Sequence, residues 1–235
     1  MDKNELERFL KGSIALEASI YKKGTEIREK SKKEYGTDLL DARLIFLSIL
    51  SYIISCKSGV PGKTNESISE RLLLIVTFIQ GTYFTEALIS EGQYVKAASA
   101  LKQDFEIMTR IKEVRAGMSK YGKVPNIKNA PNGSRHFYGE LNDLSHISKA
   151  NILESVILRN ISGNINGVSP LPVFNAHIAK KLYELHVFLC FEMAREALIL
   201  FEDMYGTESK DIEYIVPFFM TGTKLLEKAG FEMSD

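Results

Sequence analysis

Asp143 and His146 stand three residues apart, a spacing that sets a carboxylate and an imidazole on one helix face and so offers the beginnings of acid–base or metal chemistry. Ser145 adds a hydroxyl next to the imidazole. Adjacent helical residues diverge by about 100° around the axis, so Ser145 and His146 cannot face each other, and a hydrolase triad would need a base from another element. A dinuclear metal site in a helical bundle takes repeated Glu-x-x-His pairs, and this chain contains none. His177 and His186, nine residues apart, fall on nearly opposite sides of a helix. No metal and no cofactor is expected. The plain alternative for His146 is an imidazole held by Asp143 or by a backbone carbonyl within a buried polar network.

A second group of residues could bind phosphate. Between Glu113 and Glu140 the charged residues are Arg115, Lys120, Lys123, Lys128 and Arg135, all basic, with Tyr121, His136, Phe137 and Tyr138 among them. Cations interleaved with rings suit a nucleic-acid backbone whose bases stack, and Arg115, Lys120, Lys123 and Lys128 are the expected contacts. A solvated loop fits the same composition, because Pro125, Pro131 and Asn132-Gly133 suit either reading. If RNA were cleaved, His146 would be the acid or base, and Arg135 or Lys149 would stabilise phosphate charge. Lys102, Glu106 and Arg110 recur every four residues, and buried against the His146 helix they would form, with Asp143, an ionic network able to orient the imidazole. Ser58-Gly-Val-Pro-Gly-Lys63-Thr64 carries the end of a phosphate-binding loop, but Lys57 stands where its first Gly belongs and no strand precedes it. It reads as a turn between helices.

The elements that must position these groups are helices. Apolar residues recur at helical spacing almost throughout the 235 residues, predicting a single all-α domain, a bundle of about six to seven helices. Leu6, Phe9, Leu10, Ser13, Leu16 and Ile20 give the first helix (about 2–35) an apolar stripe, and its charged end, Lys22 to Tyr35, is expected to project into solvent. Gly36-Thr37-Asp38 stops that helix and caps the next, Leu39 to Cys56. Ser67 and Glu70 form a capping box opening a helix that runs to Ile89. Leu101, Phe105 and Met108 place the following helix at the core. A basic connector (about 115–136) leads to a helix from Phe137 to Asn160, a turn region to Pro172, a helix from Val173 to Tyr205, and a last helix broken or kinked at Pro217.

Composition bounds the setting. Thirty basic and thirty acidic residues cancel, so no long-range field draws in nucleic acid or membrane. Cys56 and Cys190 sit in apolar helical runs as reduced thiols would, and the N-terminus has no export signal; a cytoplasmic location is expected. Leu44 to Cys56 is shorter than the roughly 20 residues that span a bilayer and reads as a buried helix, with no membrane partner.

Gly92 to Glu106, followed by Tyr138-Gly-Glu-Leu-Asn-Asp-Leu-Ser-His146, resembles prokaryotic all-α proteins related to HEPN domains, over about Thr82 to Ile161. The resemblance implies a helical bundle, often dimeric, in toxin–antitoxin or phage-defence settings, with some members acting as metal-independent ribonucleases. Those ribonucleases pair an Arg with a His about one to two helical turns on, a spacing no Arg here shows. The expectation is therefore a non-enzymatic, self-associating interaction module in defence or stress response, with a homo-oligomer, RNA or another protein as partner. The alternative is a HEPN-like ribonuclease.

Overall fold

Seven α-helices carry the fold in the computed structural model, which describes residues 2–131, 134–145, 150–162, 165–206 and 210–231. They are α1 (Lys3–Cys56), α2 (Glu66–Ser90), α3 (Tyr94–Arg115), α4 (Arg135–Ser145), α5 (Ala150–Ile157), α6 (Ala176–Tyr205) and α7 (Lys210–Lys228). The all-α expectation holds. Helix α6 is the axis of the bundle, packed by α1, α2 and α3. Its inner residues run almost without interruption from Leu182 to Ala197, so apolar side chains all round its circumference belong to a surrounded helix. Leu101, Phe105 and Met108 of α3 are fully buried in the same cluster, as their spacing predicts.

The helix ends follow from particular residues. Asp2 accepts the Asn4 amide and closes a capping box with Glu5. Helix α2 is capped by Asn65, whose side chain accepts the Ile68 amide, and not by the expected Ser67–Glu70 box. Gly92, Gly117 and Gly230 each adopt positive φ directly after a helix, and at Gly117 the amide of Met118 returns to the carbonyl of Glu113.

Three expectations need correction. Gly36 (φ 75, ψ 161) kinks α1 where the sequence predicts a stop, but the burial of the half before it is inverted. Gly24, Ile27, Ser31 and Tyr35 are buried, whereas residues 3–19 are exposed throughout. The charged run sinks because Arg28 pairs with Glu86 (3.0 Å) and Glu91 (3.1 Å), and because Gly24 lets Glu91 approach. Second, the helix expected to reach Asn160 ends at Ile157 and gives way to an antiparallel hairpin, β1 (Leu158–Ser162) with β2 (Ile165–Val168), pairing Leu158 with Val168. Third, Pro217 does not break α7, which is one helix from Lys210 to Lys228.

The apolar segment near Cys56 is less covered than its composition suggests. Leu44 and Ile54 are exposed, and only about a third or less of the most apolar stretches of α1 and α2 is buried. By length and composition both helices could cross a membrane, a property that core helices of bundles share.

Candidate functional site

Helices α3 and α4 bring the first candidates together. Tyr138 lays its ring beside Phe105 (5.8 Å between centroids) and donates its hydroxyl to Glu106 Oε1 at 2.8 Å. Burial and that carboxylate push the phenol up to about 12. Lys102 Nζ lies 5.3 Å from the centre of the same ring and donates to Asn142 Oδ1 at 3.0 Å. Arg110 turns away to Glu70 on α2 (2.9 Å) and to the carbonyl of Lys120 (3.0 Å). Lys102, Glu106 and Arg110 therefore reach out from α3 to other elements: Lys102 and Glu106 tie α4 to it, and Arg110 ties α2 and the connector.

His146 and Lys149 lie outside the described residues. Arg135 is exposed, and its guanidinium donates to the carbonyl of Lys128. Asp143, half-buried, borders a cavity of about 310 Å³ between α4, α5 and α6. Phe137, Leu141, Leu144, Leu182 and Leu185 make its apolar wall, and a Glu140–Lys181 ion pair (2.8 Å) stands at its edge with His177. The structure thus sends Arg135 back to the connector and Asp143 toward α6, without joining them.

The connector is firmly built at both ends. Glu113, almost wholly buried, accepts the Asn126 amide (2.7 Å) and the Asn129 side chain (2.8 Å) through Oε1. A short 3-10 helix, Ile127–Asn129, follows, and Ala130 and Ser134 are buried. Lys120, Lys123 and Lys128 are exposed. Arg115 is engaged differently, donating at 3.0 Å to Glu196, a fully buried carboxylate of α6. Lys112 (3.1 Å) and Arg195 (2.7 Å) pair with Glu192 one turn earlier. Burial raises the Glu196 carboxyl, and Arg115 and Lys112 oppose the rise. Glu113, Glu192 and Glu196 escaped the sequence reading, although two acids four apart within an apolar helix signal buried charge in need of cations.

A further polar line crosses the core. Arg43 donates through Nε to His186 Nε2 at 3.0 Å, and Cys190 Sγ lies 3.9 Å from the same nitrogen. Burial, aided by Arg43, pushes His186 down to about 3, and burial pushes the Cys190 thiol up to about 12. A neutral imidazole and a protonated thiol are structural groups and not activated ones. Tyr183 stacks on Tyr35 at 3.8 Å, and Tyr35 reaches Ser90, which donates to Glu86. Gly62 packs against Tyr205, and the Lys63 amide donates to the Met204 carbonyl. The Gly-Lys-Thr turn thus commits to α6 a donor that a phosphate would need.

Among the described residues no three His, Cys, Asp or Glu side chains converge as a metal site would require. Comparison with protein-family models, with curated proteins and with solved structures finds no match for this chain.

Proposed function

We propose that this protein is a non-enzymatic helical interaction module that self-associates through the first half of α1. One observation carries the reading: Leu6, Phe9, Leu10, Ile14 and Leu16 are all exposed, Phe9 by 80%, on a helix that continues unbroken to the buried Tyr35. Residues 3–20 extend for about 27 Å at the helical rise. Isolated helices of this length are marginal in water, so an apolar face of this kind gains its stability from a partner helix. A two-fold pair of copies is the simplest closed arrangement.

The resemblance to HEPN-related proteins supplies the proposed setting, prokaryotic defence, toxin–antitoxin pairing or stress response. The two free cysteines suit a reducing cytoplasm. Sedimentation velocity tests the assembly: the wild type should be dimeric, and Phe9→Asp with Leu16→Asp should yield a monomer whose bundle still unfolds cooperatively. A wild type that stays monomeric at high concentration overturns the proposal.

A further inference from the structure

The tip of the connector is a different kind of surface. Helix α3 ends at Gly117 (φ 67), and Lys123 N returns to Lys120 O at 3.2 Å across a turn whose third residue is Gly122 (φ 68). A positive φ there favours glycine and makes Tyr121 the apex. Tyr121 is 101% exposed, Val124 73% and Met118 52%, three large apolar side chains within seven residues. Lys120 and Lys123 alternate with them, and the sequence has no acid between Glu113 and Glu140. The tip is also held in place, by Arg110 on the Lys120 carbonyl and by Glu113 on Asn126 and Asn129. Both carboxylates near its base are occupied, Glu113 by the connector and Glu70 by Arg110.

We propose that this loop docks on an anionic membrane surface, with Met118, Tyr121 and Val124 entering the headgroup layer and Lys120 and Lys123 pairing with lipid phosphates and carboxylates. The residue types favour lipid over nucleic acid. A single-stranded nucleic acid would use the Tyr121 ring and the lysines, leaving Met118 and Val124 without a role, since bases stack on aromatic faces. A lipid interface uses all five: tyrosine belongs at headgroup depth, aliphatic side chains sit just beneath, and lysines at an anionic leaflet each contribute on the order of 1 kcal/mol. One such loop gives weak, reversible attachment, as interfacial elements of small buried area do. This inference stands independently of self-association through α1.

Co-sedimentation with phosphatidylserine–phosphatidylcholine vesicles, against pure phosphatidylcholine vesicles and against poly(U) RNA, tests it. The wild type should sediment with the anionic vesicles and be released by salt. Lys120→Gln with Lys123→Gln should weaken binding by about fivefold for each lysine. Met118→Ser, Tyr121→Ser and Val124→Ser together should abolish it, and both variants should melt with the wild type because none of these side chains is buried. Absence of vesicle binding overturns the proposal, as does binding that the lysine changes leave unweakened or that survives the triple serine change. Loss of vesicle binding in Phe9→Asp with retention in the loop variants would assign the lipid contact to α1 instead. Retention of poly(U), sensitive to the loop changes, with no vesicle binding would make the tip a nucleic-acid contact.

Discussion

Asp104 and His186 are buried titratable groups whose effects on stability run in opposite directions. Burial pushes the Asp104 carboxyl up to about 7, against a hydrogen bond from Thr85 that pulls it down. A carboxyl raised on folding contributes stability fully present below its ordinary value, and that contribution is lost as pH rises through about 7. His186, lowered to about 3, contributes stability present above the ordinary imidazole range and lost as pH falls toward 3. Between these limits the two slopes offset each other. Asp104→Asn should therefore be more stable than the wild type near about pH 8, by up to roughly 4 kcal/mol, and should show the acid weakness that Asp104 otherwise masks. Urea melts at about pH 5 and about pH 8 check this; parallel behaviour of the two proteins would mean that an ionised Asp104 costs nothing. Both positions were readable in principle. Asp104 shares its helix face with Leu101, Phe105 and Met108, and His186 lies between Leu182 and Cys190 at the same spacing. The fate of Lys102, Glu106 and Arg110 was not readable, since i,i+4 spacing brings charges near one another without saying which other helix will compete for them.

At the scale of elements, small residues decide where helices meet. A Cβ on Gly222 of α7 would lie 2.8 Å from the ring of Phe46, which is fully buried and flanked by Phe191 and Phe219. That ring cannot yield freely, so Gly222→Ala should destabilise by about 1–3 kcal/mol through overpacking. Gly12, on the exposed part of α1, meets nothing within 4 Å, and Gly12→Ala should stabilise by up to about 1 kcal/mol through helix propensity. Opposite shifts in the melting temperature check the pair, and equal signs would refute the placement of α7 against α1. Phe105→Ala, fully buried in α3, should cost about 3–5 kcal/mol. Helical periodicity made most of these elements visible. It could not reveal which half of α1 packs, because an amphipathic stripe has the same pattern whether it faces its own chain or another. The hairpin was hidden for a related reason: Leu158 and Ile161 in β1, and Ile165 and Val168 in β2, stand three residues apart, so neither strand shows the apolar alternation that marks one in a sequence.

Across the whole molecule the balanced charge separates two kinds of contact. With thirty acidic and thirty basic residues, copies of the chain neither repel nor attract over distance, and a dimer closed by Leu6, Phe9 and Leu16 should withstand added salt. Vesicle attachment through the connector should not. Sedimentation at low and high salt distinguishes them, and a dimer that dissociates with salt would point to ionic contacts in place of the α1 stripe. The tyrosine pair at the root of α1 offers a way to watch this helix. Tyr35 and Tyr183 stack at 3.8 Å with ring planes 4° apart, in a protein without tryptophan. Aromatic chromophores held that close couple their electronic transitions, so the near-ultraviolet circular dichroism should carry a tyrosine signature unobscured by indole. The long helix thus contains an optical gauge at its base, able to report whether α1 stays seated on α6 while its far end engages a partner.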